Sequence, residues 1–240
     1  MKKHTLSYLG LNLLFILDAA WLLWAIASAH VEQTLPAKFL LCFILWQLLS
    51  RHIKLQPVLL TAVLFCLCGD VLLQPLDMNY TDLGNWRWLH FVLGVLCFCC
   101  AYGSLGCYYL KLNPDWRAHM RAQPATLLLN SLVTVPVLLW MSCYNQASPY
   151  LLLVLWLYSP IVVGSATLAM YTRKAIPVLP WVILLVGSNC LIISDTAIGL
   201  TAFTHTTLPW MSNPLWILSS YILGIFAVFN AILLIERQRQ

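Results

Sequence analysis

The sequence predicts an all-helical polytopic membrane protein, in which residues 1–240 form one domain, a bundle of eight transmembrane helices. Of the 240 residues, 61% are hydrophobic and 9% are charged, whereas soluble domains carry about 25% charged residues. The apolar residues fall into eight stretches, most of them close to the roughly 17–25 residues that a helix needs to cross the hydrocarbon core. None alternates between polar and apolar residues as the strands of a membrane β-barrel do.

Each stretch predicts one helix, and the connections between them are short. In chain order the stretches are Leu6–Ala29, Ala37–Leu49, Pro57–Gln74, Leu89–Leu110, Pro124–Met141, Tyr150–Tyr171, Leu179–Phe203 and Leu215–Ile235. The second is the shortest, so its ends are the least well defined. The first is preceded by Lys2 and Lys3 and ends in a small-residue motif, as a secretory signal does. Because it is too long for a signal core and holds Asp18 at its centre, we interpret it as an uncleaved first helix.

The basic residues predict the orientation of the bundle. With eight spans, every Lys and Arg except Lys38 and Arg87 falls on the side that holds both termini. Cytoplasmic loops of membrane proteins carry an excess of Lys and Arg, so we expect both termini in the cytoplasm. The expected location is the plasma membrane, which is the inner membrane if the chain is bacterial. The net charge of +5 reflects this bias and does not indicate nucleic-acid binding.

Three aspartates, Asp18, Asp70 and Asp195, lie inside apolar stretches. An ionised carboxylate near the middle of a bilayer costs about 2.5–3.5 kcal/mol, so it is kept where it faces the bundle interior and has a partner or a task. The predicted helix ends place Asp70 roughly 6 Å and Asp195 roughly 12 Å below the outer boundary, and Asp18 near the midplane. We take Asp70 and Asp195 as candidate catalytic residues and Asp18 as a candidate binding residue. The alternative is that all three only stabilise helix packing, through Lys38, Arg87 or polar side chains.

The polar residues of the outer end converge on the same half of the bundle. Lys38 and Arg87 are expected there, with His30, His90 and His205. Together with the aspartates they would form a polar cavity with a cationic mouth and an acidic floor. Two further polar side chains on the seventh stretch belong to the candidate site, Ser194 and Asn189.

Two neighbouring carboxyl groups in a desolvated site can divide their roles, one staying protonated near neutral pH while the other is ionised. This arrangement suits a reaction that passes through an oxocarbenium-like cation. It equally suits a proton-coupled carrier, and the residues alone do not decide between the two.

Several short motifs resemble those of the YhhN-like lysoplasmalogenase family. They are Cys68-Gly69-Asp70-Val71-Leu72-Leu73, Phe91-x-x-Gly94-x-x-x-Phe98, Ile193-Ser194-Asp195 and Tyr221-x-x-Gly224, with Lys38 at the start of the second helix. Their order within eight spans is similar to that of the family. Where the family usually has Gly-His, this chain has Ala101-Tyr102, so Tyr102 or His90 would have to replace that histidine.

The resemblance implies an integral-membrane hydrolase that cleaves the vinyl-ether bond of lysoplasmalogen. The products would be a fatty aldehyde and glycerophospho-ethanolamine or -choline. Asp70 and Asp195 would act as proton donor and as cation stabiliser or water activator, and Lys38 and Arg87 would hold the phosphate. The partners would be a lysophospholipid substrate and the lipid bilayer, and no metal or organic cofactor would be required.

Two other functions fit parts of the sequence. A small proton-coupled transporter would use the same aspartates as a relay, and Pro136 and Pro160 interrupt two of its spans. It would be expected to show inverted repeats, which the sequence does not clearly contain. A zinc-dependent membrane hydrolase of lipids or amides would need several His or Asp ligands together, and the outer histidines lack the spacing of a helical ligand pair. A scaffolding protein with no activity is the third alternative.

Overall fold

The structure, a computed structural model, describes residues 2–52, 56–73, 87–144, 149–204 and 213–239, and these segments consist of helices joined by short turns. The helices are α1 (Lys2–Ala27), α2 (Val31–His52), α3 (Pro57–Leu72), α4 (Arg87–Leu112), α5 (Trp116–Ala122), α6 (Pro124–Cys143), α7 (Pro149–Tyr171), α8 (Val178–Thr204) and α9 (Pro214–Arg239). A 3₁₀ turn, Thr172–Lys174, follows α7. The predicted all-helical class is confirmed for these residues.

Six of these helices are long and apolar enough to cross a membrane: α1, α2, α4, α7, α8 and α9. Two shorter apolar stretches, Pro57–Leu72 in α3 and Thr134–Cys143 in α6, occupy the places of the remaining predicted spans. The described helices therefore form a multi-pass bundle, while the total of eight crossings and the cytoplasmic location of both termini stay predictions.

The helix ends differ from the predicted ends where polar residues continue a helix or a turn interrupts one. Helix α2 runs from Val31 to His52 and so extends well beyond the apolar stretch that predicted it, because polar residues such as Glu32 and Arg51 continue the helix. Helix α1 ends at Ala27, and Ala29 then takes a left-handed φ of 58° in the turn to α2. The basic connection after α4 contains the short helix α5, which hydrophobicity alone does not indicate.

Helix α9 is the central helix of the bundle. Most of its middle and C-terminal side chains are buried, and it packs against α1, α2 and most extensively α8. Close approach to α8 depends on two glycines, since a Cβ added to Gly224 would lie 2.7 Å from Leu191 Cγ and one added to Gly187 would lie 2.8 Å from the Val228 nitrogen. Small residues allow such backbone contact between membrane helices.

Helices α3 and α4 are joined by a reciprocal pair of contacts. A Cβ added to Gly69 would lie 2.6 Å from the ring of Phe98, and a Cβ added to Gly94 would lie 2.9 Å from the side chain of Leu73. Each helix thus presents a glycine to a large side chain of the other, and the pairing fixes the position of Asp70, the neighbour of Gly69.

A polar network connects helix ends at the side of the bundle that carries most basic residues. Glu236 near the end of α9 accepts hydrogen bonds from Tyr108 (2.8 Å) and from Gln56 (3.3 Å). Tyr8 of α1 donates to Asn230 over 2.7 Å, and the Arg237 guanidinium lies 4.1 Å from the centre of the Tyr8 ring. The starts of α1 and α3 therefore lie beside the ends of α4 and α9, as alternating helices require.

The glycine contact between α8 and α9 can be tested by Gly224→Leu. The added side chain would overlap Leu191, and overpacking of this kind costs about 1–3 kcal/mol, so the unfolding temperature of the purified protein in detergent should fall. The matched control is Gly103→Leu, because a Cβ at Gly103 meets no atom within 4 Å. Equal stability of the two variants would contradict the packing described here.

The predicted orientation can be tested with reporter fusions in a bacterial host. Green fluorescent protein fused after residue 240 should fluoresce and alkaline phosphatase at the same place should be inactive, because both termini are expected in the cytoplasm. Fusions after Ser28, in the turn between α1 and α2, should give the opposite pattern. The same pattern at both sites would contradict the orientation.

Candidate active site

A cavity lies between α2, α3, α4, α7, α8 and α9, near the ends at which α2, α4 and α9 begin. Its walls are mostly apolar and include Leu73, Phe91, Val95, Phe98, Leu155 and Leu218. Its polar lining residues are Lys38, Asp70, Tyr158, Ser194, Asp195 and Tyr221. The space open to water-sized molecules is about 60 Å³, several times the roughly 10–15 Å³ that one ordered water requires. The cavity can hold water or a small part of a larger ligand next to two carboxyl groups.

Asp70 is held by side chains from two other helices. The Lys38 ammonium of α2 lies 3.6 Å from Oδ1, and the Tyr221 hydroxyl of α9 donates to Oδ2 over 2.7 Å. Lys38 is 4% and Asp70 6% exposed, so this is a buried ion pair. An adjacent cation favours the charged form of a carboxyl group, and the Lys38 ammonium supplies that cation to Asp70.

The contact between these three residues also shows where α3 ends. Lys38 and Tyr221 each lie about two turns after the first residue of α2 and α9, whereas Asp70 lies only about 3 Å before the last residue of α3. Because the three side chains touch, α3 ends inside the bundle, below the level at which α2 and α9 begin. Leu73, the residue that follows α3, is consequently buried in the cavity wall.

Asp195 has a different environment, made of two phenol groups. Tyr102 of α4 and Tyr158 of α7 both donate to its Oδ2, over 2.8 and 2.7 Å. Their rings meet edge to face with centres 6.1 Å apart. Among the side chains that the structure describes, no Lys, Arg or His forms an ion pair with Asp195. Phenol donors can hold either form of a carboxyl group, and both of these donate to the same oxygen of Asp195.

Most of the predicted site residues come together at this cavity. Lys38, Asp70, Ser194, Asp195 and Tyr221 line it. Tyr102 reaches Asp195 from behind the cavity wall. Ser194 is fully buried and donates to the Ile217 carbonyl over 3.0 Å, so its hydroxyl joins α8 to α9.

Lys38 lies in the buried wall of the cavity and not at an exposed mouth as expected, and its role in holding a phosphate stays a prediction. Its ammonium is buried against Asp70 because a carboxylate inside the bundle is a stronger partner than the membrane surface. The alternative interpretation, in which an aspartate stabilises helix packing through Lys38, therefore fits the Lys38–Asp70 contact. Both residues also line the cavity.

Other predicted residues do not reach the cavity. Asp18 is buried in α1, and neither of its carboxyl oxygens has a hydrogen-bond partner within the part of the chain that the structure describes. The Asn189 side chain donates to the Leu185 carbonyl of its own helix, and His90 is exposed. His30 is also exposed and lies 3.4 Å from Glu32. Arg87 begins α4, but its side chain, like all of His205, lies outside the described residues.

Tyr158 is the polar site residue that the sequence reasoning missed. Tyrosine is common at the membrane interface, so a tyrosine in an apolar stretch does not by itself indicate a side chain that faces the bundle interior. The available signal was its place in Tyr158-Ser159-Pro160, a polar group in the middle of the long apolar helix α7.

No metal centre is evident in the described segments. In residues 2–52, 56–73, 87–144, 149–204 and 213–239, no three His, Cys, Asp or Glu side chains are grouped as metal ligands would be. The acids of the cavity instead have an ammonium group and three phenols as partners.

The buried ion pair can be tested with a double-mutant cycle. Lys38→Met leaves the Asp70 charge unpaired inside the bundle, and breaking a buried pair in this way costs about 3–5 kcal/mol. Adding Asp70→Asn removes the unpaired charge and should restore part of the loss. Chemical unfolding in detergent micelles measures each variant, and strictly additive effects of the two substitutions would show that the pair is not formed.

The comparison with known proteins agrees with the family motifs found in the sequence. Residues 32–232 match the YhhN family, a range that includes Lys38, Asp70, Tyr102, Tyr158, Asp195 and Tyr221 and excludes α1. No curated protein and no solved structure matches the chain. The matched range covers most of the sequence and confirms the resemblance seen in the motifs. This multi-pass membrane protein belongs to the YhhN family.

Proposed function

We propose that this protein is a lysoplasmalogenase-like hydrolase, which cleaves the vinyl-ether bond of a lysophospholipid to a fatty aldehyde and glycerophospho-ethanolamine or -choline. The observation that carries the proposal is the pair of unlike carboxyl groups on one cavity, Asp70 beside a cation and Asp195 beside two phenols. Membership of the YhhN family supports the same reaction class.

The cavity suits an amphiphilic substrate that arrives from the bilayer. Its apolar walls favour a hydrocarbon part, and its few polar groups are concentrated where Asp70 and Asp195 lie. Pockets that bind small molecules commonly combine apolar walls with a small number of placed polar groups. A vinyl ether is itself apolar and neutral, so it can enter such a site without the cost of burying a charge.

In the first step Asp195 acts as general acid. Its carboxyl proton is transferred to the alkenyl carbon that is not bonded to oxygen, and the neighbouring carbon and the ether oxygen then share the positive charge of an oxocarbenium ion. Asp195 becomes a carboxylate whose Oδ2 accepts hydrogen bonds from the hydroxyl groups of Tyr102 and Tyr158. These preformed hydrogen bonds stabilise the charge that develops on Asp195, as placed donors do in other active sites.

In the second step water captures the cation. A water molecule bonds to the positively charged carbon and gives a proton to the Asp195 carboxylate, which restores the acid. The product is a hemiacetal, and its collapse breaks the bond from that carbon to the glycerol oxygen, which takes the hydroxyl proton. One water is consumed, and one aldehyde and one alcohol are released. Only side chains and water take part.

Asp70 stabilises the cation without transferring a proton. Lys38 and Tyr221 hold it as a carboxylate on the wall that it shares with Asp195. Because Lys38 balances the charge of Asp70, the carboxylate stabilises the developing positive charge as the nearer, negative end of a fixed ion pair in a water-poor cavity.

An aldehyde-release assay tests the proposal. With purified protein and lysoplasmalogen, Asp195→Asn should lower kcat by about 10²–10⁴-fold, the usual contribution of a general acid. Asp70→Asn should also lower kcat, because the cation loses its counter-charge. The matched control is Asp18→Asn, which changes a buried aspartate that does not line the cavity, and it should retain the activity of the unmodified protein.

Two results would contradict the proposal in different ways. If the unmodified protein releases no aldehyde, the reaction is wrong. If both variants keep full activity while their unfolding temperatures are unchanged, the reaction stands and the roles of Asp70 and Asp195 are wrong.

A further inference from the structure

A second cavity lies between α6, α7 and α8 and meets the main cavity at Asp195. Three residues, Leu155, Tyr158 and Asp195, line both cavities. The space open to water-sized molecules in the second cavity is about 30 Å³. Because one ordered water requires roughly 10–15 Å³, this is room for about two water molecules next to the carboxyl group of Asp195.

Polar groups from all three helices line the second cavity. Five of its twelve lining residues carry a hydroxyl or carboxyl group: Thr134 of α6, Tyr158 and Ser159 of α7, and Asp195 and Thr196 of α8. A buried water molecule commonly makes two to four hydrogen bonds, and this lining supplies that number of partners. The other lining residues are apolar and none of the twelve is basic, so the lining suits a neutral polar molecule of the size of water.

The hydrogen bonds already present around the second cavity leave acceptor sites that water can use. The Ser159 hydroxyl donates to the Leu155 carbonyl over 2.9 Å, so its oxygen is left as an acceptor. Tyr102 and Tyr158 both donate to Oδ2 of Asp195, and none of the described residues donates to its Oδ1. A water molecule in this cavity can therefore donate to Asp195 while it accepts a hydrogen bond from a threonine hydroxyl.

Both α6 and α7 contain a proline beside the second cavity. Pro136 lies within the lining range 134–141 of α6, and Pro160 lies within the lining range 155–163 of α7. A proline inside a helix removes one backbone hydrogen bond and disturbs the preceding turn. In membrane helices the freed backbone groups are paired with hydroxyl side chains or ordered water. The prolines are thus a second feature, separate from the lining side chains, that favours water in this part of the bundle.

The main cavity is less suited to hold the reacting water. Lys38 and Tyr221 bind Asp70, and Ser194 donates to a backbone carbonyl, so most polar groups of the main cavity have protein partners. In the proposed reaction the alkenyl carbons of the substrate also occupy this space and displace water from it. The second cavity borders the same carboxyl group of Asp195 and lies outside that path. It can therefore keep its water while the substrate is bound.

We propose that the second cavity binds the water that captures the cation, and that the hydroxyls of Thr134, Ser159 and Thr196 position this water; the inference rests on the proposed function. Once Asp195 has protonated the alkenyl carbon, its carboxylate accepts a hydrogen bond from the water. The water oxygen then forms a bond to the positively charged carbon, and a proton passes from the water to Asp195. This step yields the hemiacetal and restores the acid.

Competition between water and methanol tests the source of the reacting water. Methanol that captures the cation bonds through its oxygen to the same carbon and gives its proton to Asp195, which yields a mixed acetal in place of the free aldehyde. Thr196→Ala removes a hydroxyl and opens space in the second cavity. We expect it to raise the ratio of acetal to aldehyde by about 2–10-fold, the equivalent of one hydrogen bond to water. Mass spectrometry of the products measures this ratio, which does not depend on the amount of folded protein.

Two variants serve as matched controls. Thr196→Ser keeps the hydroxyl and should keep the ratio close to that of the unmodified protein. Thr201→Ala changes a threonine of the same helix, whose hydroxyl donates to the Ala197 carbonyl and which lines neither cavity, and it should leave the ratio unchanged. An equal ratio in Thr196→Ala and in the unmodified protein, including a complete absence of acetal in both, would overturn the inference. Equal ratios in Thr196→Ala and Thr196→Ser would overturn it as well, since the hydroxyl would then have no role.

A competing arrangement supplies the water through the main cavity. In that case Val95→Ala, which widens the main cavity alone, would raise the ratio of acetal to aldehyde while Thr196→Ala would not. That result, in a protein that releases aldehyde, would overturn this inference and leave the proposed function intact. Absence of aldehyde release from the unmodified protein would overturn both.

A high-resolution structure of the unmodified protein locates the water without relying on catalysis. With a saturated ether-linked lysophospholipid bound, we expect an ordered water between α6, α7 and α8, within hydrogen-bond distance of both Asp195 and Thr196. Ordered water beside Asp195 on the main-cavity side alone would overturn the inference, as would a second cavity without ordered water.

Discussion

The buried contact between Lys38 and Asp70 is the interaction on which the arrangement of the site depends. A charge inside a bilayer-spanning bundle is tolerated when a counter-charge and hydrogen-bond donors surround it. Here these groups come from α2, α3 and α9. Because removal of either charge leaves the other unpaired, the three helices are fixed relative to one another at this depth. The same contact holds a carboxylate on the cavity wall.

The packing around this contact explains why the cavity has its shape. Gly69 precedes Asp70 and allows the Phe98 ring to close against α3, while Gly94 receives Leu73. Phe98 and Leu73 then form part of the apolar wall beside the two acids. The Phe98 ring also meets Tyr221 edge to face, with centres 6.0 Å apart. The glycines of the family motifs are therefore packing residues, and they bring large side chains to the site.

Much of the fold and the two acids were predictable, whereas their partners were not. Long apolar stretches predict helices because backbone groups in lipid must be paired within a segment, and a lone aspartate in such a stretch indicates a bundle interior. The reach of α2 beyond its apolar core, the burial of Lys38 and the inward face of Tyr158 all depend on which helices are neighbours. Hydropathy carries no information about which helices are neighbours. Asn189 and His90 were misplaced for the same reason, because being near Asp195 or the outer end does not decide which way a side chain points.

The early end of α3 has an electrostatic consequence. The last carbonyl groups of a helix have no partner further along the chain, and together they carry a partial negative charge of about half an electron. Since α3 stops at the cavity wall, this diffuse negative pole lies beside the Asp70 carboxylate. Backbone and side chain thus give that wall the same polarity, which attracts the resident ammonium and would lower the energy of any carbocation-like species generated in front of it.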